Sequence, residues 1–389
     1  MKKLLVIAAT LAASSAFAGV KLEVRSDYVN TPNYDTNTGD EVGGTSLFTP
    51  TVARLYLNGN VGEAVVESAW NLRAFTPEFA VNPYTGESEL SKTMTVDKFV
   101  DHLWAGKAMG QFMFKAGKLE TNTGGFEYQK SLHGDTYLVS MANRGVGGSM
   151  VIDGSPAPDT VIVPSQAFVA NPENASGISA AYTLTENHKF EAQMFNQVNS
   201  QTINADTGAR SLDRGHTYGL NYLGSFLDKM LVLNLNYTVG TADTTVAGQE
   251  LSFMAASLRV APMADLTVDI EYFDNKNKVS AAGTSTDLKT NSTIIEARYN
   301  INGWVPVLKY EMSKNEGATP AAAVNTGDFK RDAWALGVEY VPKADEAFRY
   351  HVAYTSIKDH DIEGISALNS DITKNMITVG FKYTGDMAK

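Results

Sequence analysis

The charged residues are the part of this sequence that could do chemistry. Six bases fall on the polar side of segments that alternate polar and apolar residues: Arg25, Arg54, Arg73, Lys115, Arg298 and Lys309. Four acids fall in one long segment without such alternation: Glu127, Asp135, Asp153 and Asp159. Opposed charges across a narrow, water-filled passage create a field that discriminates between solutes by charge. We therefore hypothesise that some of these acids face some of these bases across a passage.

A simpler interpretation of the same charges stays open. Most of them could only solvate the passage or pair with charges on neighbouring strands, as Glu296 with Arg298 or Lys309 with Glu311 could.

The sequence lacks the patterns that mark catalytic and metal sites. Its six histidines are scattered, and none lies in a Ser-His-Asp or HExxH arrangement. The glycine-rich stretch 145–148 has no following Lys-Ser or Lys-Thr pair, so it is not a phosphate-binding loop. We expect no enzymatic activity, no cofactor and no metal.

Alternation with a period of two residues is the main structural signal from Val20 onward. In 266–273, Leu, Val, Ile and Tyr share one face, whereas Thr, Asp, Glu and Phe share the other. Segments of about ten such residues have the length that a tilted strand needs to cross a bilayer. The pattern predicts sixteen strands, at 20–29, 52–61, 63–75, 97–107, 111–120, 177–185, 188–197, 215–224, 229–240, 249–261, 264–274, 290–302, 304–314, 330–342, 346–358 and 373–384.

The connections between these segments alternate between short and long. Short turns containing Gly, Asn or Pro are predicted at 60–62, 109–110, 186–187, 261–263, 302–303 and 342–344. Long polar connections are predicted at 30–51, 76–96, 198–214, 275–289, 315–329 and 359–372. This rhythm is typical of a transmembrane antiparallel up-and-down β-barrel with short periplasmic turns and long outer loops. We therefore predict an all-β fold of about sixteen strands.

Aromatic residues near the short turns favour the same fold, because such residues form a girdle at the membrane interface. They are Tyr222, Phe226, Tyr299, Trp304, Tyr340, Phe348 and Tyr383. The alternative is a soluble sandwich or solenoid, whose strands also alternate. That fold would have short loops at both ends and would bury its apolar face against a second sheet.

The N-terminus has the features of a secretory signal peptide over residues 1–18. Lys2 and Lys3 precede an apolar stretch, and Ala16-Phe17-Ala18 forms a small-residue cleavage site before Gly19. We therefore expect residues 19–389 to form an exported barrel in the outer membrane of a Gram-negative bacterium.

The charge balance excludes one class of partner. Removal of Lys2 and Lys3 from the 32 basic side chains leaves 30 against 43 acidic ones, a formal net charge of −13. A nucleic-acid partner is not expected for so acidic a chain. The same balance favours cations or neutral solutes over anions.

One connection, residues 121–176, is far longer than the others. Loops of this length without strands are usually functional or disordered. Asp135 and Thr136 could cap a short helix that runs through Tyr137, Leu138 and Met141 to Arg144, with Gly145 just after its end. The segment also carries apolar residues, namely Val151, Ile152, Val161, Ile162, Val163 and Phe168. We expect this third outer loop to fold into the barrel and to narrow the lumen.

The chain resembles the Gram-negative porins, whose third loop folds inward as a constriction. The stretch 117–127, Gly-Lys-Leu-Glu-Thr-Asn-Thr-Gly-Gly-Phe-Glu, is similar to the exit of strand five in the phosphate-selective porin O/P family. The stretch 143–147, Asn-Arg-Gly-Val-Gly, is similar to an Arg-Asp-x-Gly element of that family. Two features depart from the resemblance: six residues follow Tyr383, and the third loop has no cluster of arginines or lysines. Phosphate selectivity is therefore not expected.

The resemblance implies a passive diffusion channel for small hydrophilic solutes and ions, with weak charge selectivity. It also implies a homotrimer, in which Phe75, Phe79 and Tyr84 of the second loop could contact a neighbouring subunit. Lipid and lipopolysaccharide are the other expected partners. Two alternatives remain open: a substrate-specific channel, and a structural or adhesive barrel with a plugged lumen.

Overall fold

A computed structural model describes most of the chain. The described residues are 17–34, 41–72, 79–81, 88–90, 99–122, 124–144, 148–152, 159–163, 174–196, 201–203, 210–212, 216–243, 247–281, 284–316, 329–342, 347–360 and 372–388. Residues 1–16 lie outside these ranges, so the signal peptide stays a prediction.

Sixteen antiparallel strands close into one barrel. They are β1 (Phe17–Tyr34), β2 (Glu41–Val61), β3 (Ala64–Asn71), β6 (Val100–Met109), β7 (Phe112–Glu120), β10 (Asn174–Thr185), β11 (His188–Asn196), β14 (His216–Phe226), β15 (Leu231–Asp243), β16 (Ala247–Met263), β17 (Leu266–Ala281), β18 (Thr284–Tyr299), β19 (Trp304–Glu316), β20 (Phe329–Tyr340), β21 (Phe348–His360) and β22 (Ile372–Ala388). The barrel closes where β1 pairs with β22, in a register that sets Val24 opposite Tyr383.

Smaller elements lie in the connections. Three two-stranded hairpins are formed by β4 (Phe79–Val81) with β5 (Ser88–Leu90), by β8 (Gly148–Ile152) with β9 (Asp159–Val163), and by β12 (Gln201–Ile203) with β13 (Arg210–Leu212). The third loop carries the two described helices, α1 (Gly125–Leu132) and α2 (Met141–Arg144). No helix in the described ranges is long and apolar enough to span a membrane.

Strand β19 shows how the sequence determines the two faces of the wall. Side chains alternate between the two faces of a strand. Leu308, Tyr310 and Met312 are 39–55% exposed on the outside, whereas Lys309 and Glu311 between them are at most 1% exposed. Apolar side chains therefore face lipid, and charged side chains face the lumen, as a transmembrane barrel requires.

The structure confirms the predicted fold class. Each of the sixteen predicted segments overlaps one barrel strand. The turn predicted at 261–263 is wrong, because these residues end β16 and the turn follows at 264–265. Four predicted short turns, 60–62, 109–110, 186–187 and 302–303, lie where consecutive strands meet. Gly62, Gly110, Asn302 and Gly303 have positive φ angles in these turns, which is why residues tolerant of that conformation occur there. The sixth predicted turn, 342–344, lies largely outside the described residues.

Two predicted long connections are wrong. Strands β1 and β2 extend through most of 30–51, and β17 and β18 extend through most of 275–289. Their polar composition suggested loops, but each strand continues to pair its backbone groups with its neighbour, as Asn277 does with Leu288. A paired backbone needs no apolar side chains to stay extended in water. These two hairpins therefore extend beyond the part of the wall whose apolar side chains face lipid.

Candidate functional site

The third loop enters the lumen immediately after β7. The backbone N–H of Asn122 donates to Gln193 Oε1 on β11 at 3.0 Å, and Asn236 of β15 contacts the carbonyl of Asn122. The loop then continues along the inner wall through α1 and α2. Its described contacts lie on β11, β14 to β22, β1 and β2, so the expectation of an inward-folded loop is confirmed.

The predicted position of the loop helix, capped by Asp135 and Thr136, is wrong. Helix α1 begins ten residues earlier, at Gly125, and the segment 135–140 is irregular, with only α2 falling inside the predicted span. Most polar groups of 135–140 hydrogen-bond to the wall, and Ser140 bonds to Glu127 of α1, instead of forming helical turns. Partners far away in sequence therefore determine the conformation of this segment.

Helix α1 is held by carboxylates on β17 and β18. Gly124 and Gly125 both have positive φ angles, and a Cβ added to Gly125 would collide with the Glu271 carboxylate. This close approach lets the N–H of Phe126 donate to Glu271 Oε2 at 2.7 Å. At the other end of the helix, Lys130 Nζ lies 2.5 Å from Asp269 and 2.6 Å from Glu296. A negative group at the helix N-terminus also complements the helix dipole.

Glu127 and Lys309 form a fully buried ion pair between the loop and β19. Both side chains are at most 2% exposed. Glu127 also accepts hydrogen bonds from Ser140 and Asn143, and Lys309 Nζ also donates to the carbonyl of Leu138 at 2.7 Å. A buried ion pair is tolerated only when further hydrogen bonds satisfy both groups. Here, these bonds also fix the fold of the loop.

Asp135 is the second carboxylate that the loop presents to the wall. It contacts Arg349 of β21 and Lys382 of β22, and its backbone carbonyl accepts from Arg298 of β18. Burial works to raise the pKa of Asp135, but the charges of Arg349 and Lys382 outweigh burial and hold this pKa below its usual range. Lys382 Nζ also lies 2.7 Å from Glu23 Oε1 on β1.

Tyr137 and Leu138 fit into a recess of small residues in the wall. Tyr137 OH donates to Glu339 Oε1 at 2.9 Å. Burial, together with the charge of Glu339, raises the pKa of the Tyr137 hydroxyl. A Cβ added to Gly337 would lie 3.0 Å from the Tyr137 ring, so the absence of a side chain there makes room for the ring. Leu138 packs with Ala333, Ala335 and Ile357.

Helix α2 covers an apolar patch on the inner wall. Ala142 packs on Phe253, Phe273 and Ile294, all at most 1% exposed, although their strands turn these side chains toward the lumen. The N–H of Met141 donates to Glu311 Oε1 at 2.7 Å. Without the loop, these rings would face water, which costs about 25 cal/mol for each Å² exposed. Apolar burial and ion pairs therefore both hold the loop against the inner wall.

The wall opposite the docked loop carries a different set of groups. In a ring of sixteen strands, β6 and β7 lie eight places from β18 and β19. On this wall, Lys115 Nζ lies 4.3 Å from the centre of the Trp104 ring, a cation–π contact. Nearby, His102 Nε2 lies 3.1 Å from Glu67 Oε1. Trp104 itself is buried against Leu119 and Phe195.

A cavity of about 370 Å³ lies between the loop and strands β22, β1, β2 and β3. Arg25 and Arg54 line it, together with Tyr137 from the loop. Arg25 pairs with Asp27 at 2.9 Å, and Arg54 pairs with Asp101 at 2.6 Å. Each guanidinium group that faces the cavity is therefore already paired with a carboxylate of the wall.

The structure brings together five of the ten predicted site residues at the docked loop. Glu127 contacts Lys309, Asp135 contacts Arg298, and Arg25 contacts the carbonyl of Gly134. Arg54 and Lys115 line other parts of the inner wall. Arg73 and Asp153 lie outside the described residues, and so does the side chain of Asp159 in β9.

The simpler interpretation of the charges, in which they pair with neighbours on the wall, is confirmed for one of its two examples. Arg298 Nε lies 2.7 Å from Glu296 Oε1, whereas Lys309 pairs with the loop rather than with Glu311. Sequence reasoning missed Arg349 and Lys382 as partners of the loop. The strand alternation could have found them, because Arg349 shares its face with buried His351, and Lys382 lies between the outward-facing Phe381 and Tyr383.

Comparison with known proteins identifies the class of molecule. The model of the family described as phosphate-selective porin O and P matches residues 19–384. A search of curated protein sequences found no significant match. Three solved structures each cover 94% of this chain. The first is the outer-membrane channel DcaP of Acinetobacter baumannii, with 11% identity, 96% of that chain covered and a TM-score of 0.58. The second is OmpT of Vibrio cholerae, in-vitro folded and in trimer form, with 12% identity, 98% of that chain covered and a TM-score of 0.54. The third is an anion-selective porin from Comamonas acidovorans, with 12% identity, 98% of that chain covered and a TM-score of 0.55.

The family and the fold point to a channel of the bacterial outer membrane rather than to an enzyme. The chain belongs to the phosphate-selective porin O and P family, whose model covers nearly all of the predicted mature sequence.

Proposed function

We propose that this channel is a general diffusion pore for small hydrophilic solutes and ions, with a weak preference for cations and neutral molecules. Residues 121–173, between β7 and β10, are its constriction loop. The observation that carries the proposal is the charge balance where the loop meets the wall. Most of these groups are buried under the loop, so solutes passing between the loop and the opposite wall would experience only their summed field.

Within the described residues, acidic side chains outnumber basic ones around the docked loop by ten to eight. The bases are Arg25, Lys130, Arg259, Arg298, Lys309, Arg331, Arg349 and Lys382. The acids are Glu23, Asp27, Glu127, Asp135, Asp269, Glu271, Glu296, Glu311, Glu339 and Asp359. A base whose charge is already compensated attracts an anion only weakly, so this balance supports weak cation preference and argues against strong anion binding.

The reversal potential of the refolded protein in a planar bilayer tests this proposal. Under a tenfold KCl gradient, we expect a potential of the sign that indicates cation preference, well below the limiting value of about 59 mV. Arg54→Gln removes one cation from the lumen wall and should move the potential further toward cations. A potential that indicates anion preference in the wild type would contradict the proposal.

A substrate-specific channel is the second candidate, favoured by the 370 Å³ cavity beside Arg25 and Arg54. A solute that binds there would saturate its own flux and block ion current at high concentration. Conductance that stays proportional to salt concentration, with no block by amino acids or sugars, would exclude this alternative.

We further propose that the chain assembles as a homotrimer through its short wall. Strands β3, β6, β7, β10, β11 and β14 have only 8 to 12 residues each. On their outer face, Ala105 pairs with Ala116, and Ala180 pairs with Ala192. Small residues allow close approach of a neighbouring protein surface in a membrane. The trimer form of Vibrio cholerae OmpT, at 12% identity, agrees with this proposal.

Electrophoresis of unheated samples tests the assembly. We expect the refolded protein to migrate as a trimer that dissociates on boiling. The second-loop aromatic residues Phe75 and Tyr84, and the side chain of Phe79, lie outside what the structure describes, so their part in the trimer stays a prediction. Migration as a monomer under conditions that preserve the barrel would contradict it.

A further inference from the structure

Three bases lie side by side on the inner face of the wall where the barrel closes. The closure joins the first strand, β1, to the last, β22, and β21 lies on the other side of β22. Lys382 of β22 lies directly across from Arg25 on β1 and directly across from Arg349 on β21. Like charges directly opposite each other on neighbouring strands destabilise a sheet. These three residues, here called the seam row, therefore work against closure unless counter-charges bind them.

Side chains of the wall bridge the seam between β1 and β22 at two heights. Lys382 Nζ lies 2.7 Å from Glu23 Oε1 on β1. Further along, His351 of β21 reaches across β22, and its Nε2 lies 2.7 Å from Asp27 Oδ1 on β1. Gly380 of β22 pairs with both residues, and a Cβ added to it would lie 2.4 Å from Asp27 Oδ1 and 2.8 Å from His351 Nε2. The missing side chain at Gly380 therefore makes the second bridge possible.

Residues 133–137 of the third loop, here called the strap, bind the β1 side of the seam. The carbonyl of Gly134 accepts a hydrogen bond from Arg25. His133 Nδ1 lies 3.1 Å from Glu23 Oε2. Both contacts hold the strap to the first strand.

The same strap also binds the strands on the other side of the seam. Lys382 Nζ donates to the carbonyl of His133 at 2.6 Å and lies 2.9 Å from Asp135 Oδ1. Asp135 also contacts Arg349 of β21. His133 therefore spans the seam, with its ring on β1 and its carbonyl on β22. The Asp135 carboxylate places a negative charge between two members of the seam row.

The ring of Tyr137 covers the second bridge of the wall. The centre of this ring lies 5.2 Å from Arg25 Cζ, a cation–π contact, and 5.4 Å from the centre of the His351 ring. The Tyr137 hydroxyl donates to Glu339 of β20. The strap therefore contacts four consecutive strands of the barrel, β20, β21, β22 and β1.

Closure is the pairing that gains most from such a strap. Val20 pairs with Ala388, so closure joins the two ends of the chain. Bringing together residues that are far apart in sequence costs more conformational entropy than pairing neighbours. The strap comes from the middle of the chain, and its contacts with Arg25 and Lys382 span 109 and 249 residues. Its docking therefore ties both ends of the chain to a third point.

We propose that the strap stabilises the closure of the barrel, so that the seam between β1 and β22 opens only after the third loop has left its docked position. The docked strap brings a carboxylate and backbone carbonyls to three adjacent bases, and undocking removes these partners. The third loop then has a second role besides narrowing the lumen. This role goes beyond the proposed channel function, because it does not depend on which solutes pass.

Hydrogen exchange of the refolded protein in detergent, followed by mass spectrometry, tests the proposal. The reporters are peptides from the seam strands, 20–30 and 377–388, and the internal reference is the pairing of β10 with β11 on the far side of the barrel. Asp135→Asn weakens the strap directly. Lys309→Met releases the loop at β19, which pairs with neither β1 nor β22. Asp101→Asn is the matched control, because it breaks a wall ion pair with Arg54 outside the strap.

We expect the amides of the seam to exchange at least about tenfold faster in Asp135→Asn than in the wild type, since a hydrogen bond to a charged group contributes about that factor. In Lys309→Met, the seam should exchange about a hundredfold faster or more, because the whole change in the loop equilibrium is passed on to the seam. The reference amides should exchange at the wild-type rate in both variants. In the control, the seam should exchange as in the wild type.

Three results would overturn the proposal. The seam could exchange at the wild-type rate in Asp135→Asn or in Lys309→Met, the control could accelerate the seam as much as Asp135→Asn does, or seam and reference could accelerate by the same factor. The last result would show a general loss of stability rather than a weakened closure. The measurement requires no ion current, so a protein that does not conduct would contradict the channel function and leave this test intact.

Discussion

Replacing Lys309 by methionine tests whether the buried ion pair with Glu127 holds the third loop in the lumen. Lys309 is 1% exposed, and its ammonium also donates to Thr136 Oγ1 at 3.2 Å and to the Leu138 carbonyl at 2.7 Å. In Lys309→Met, the Glu127 carboxylate stays buried with only the neutral donors of Ser140 and Asn143. Removing one partner of a buried ion pair costs about 3 to 5 kcal/mol.

That cost changes the loop equilibrium measurably. Each 1.4 kcal/mol is a factor of about ten, so the undocked population should rise by roughly two to nearly four powers of ten. Single-channel recordings of the wild type should show one steady level, whereas Lys309→Met should switch to larger levels. Glu127→Gln/Lys309→Met removes both charges and should recover part of the steadiness.

Lys115→Met is the matched control for this prediction. It removes an ammonium from the opposite wall, where Lys115 lies over Trp104, so it should shift ion selectivity and leave the recordings steady. If the single-channel conductance of Lys309→Met is as steady as that of Lys115→Met while both variants migrate as folded barrels, the ion pair does not hold the loop in the lumen. That result would refute the reasoning.

Three further predictions concern the loop and the assembly. Because neighbouring bases hold the pKa of Asp135 below its ordinary value of 3.8, its contribution to docking is complete above that value and is lost as the pH falls below it. The conductance difference between the wild type and Asp135→Asn should therefore persist from pH 7 to about 4; its loss by pH 5 would contradict this. Gly337→Leu should displace the Tyr137 ring and raise cleavage of the loop by added protease, whereas the outward-facing Leu336→Val should not. Ala116→Trp should prevent close approach at Ala105 and yield conducting monomers; unchanged trimers on unheated gels would exclude the short wall as the interface.

The barrel could be predicted from sequence because its pattern is local. Alternate exposure of Leu308, Lys309 and Tyr310 follows directly from a period of two residues, and the turns at Gly62 and Gly110 follow from their conformational demands. The lengths of β1, β2, β17 and β18 could not be predicted this way. Their polar ends have the composition of loops, and only pairing with a neighbouring strand keeps them extended.

The path of the third loop could be predicted only in outline. Its apolar residues and length indicated an inward fold, but the position of α1 depends on Glu271 and Lys309, which lie 145 and 182 residues away from their loop partners Phe126 and Glu127. A local helix cap at Asp135 was outweighed by Arg349 and Lys382, which bind the Asp135 carboxylate. These partners lie 214 and 247 residues from Asp135, so the sequence near Asp135 gives no sign of them.

Single-channel conductance of the refolded protein in a planar bilayer tests the central claim most directly. A water-filled lumen narrowed by a docked loop predicts uniform stepwise openings that scale with salt concentration and favour cations weakly. A protein that migrates as a folded, heat-modifiable barrel and inserts into the bilayer, yet carries no current, would contradict the claim and favour a plugged structural barrel.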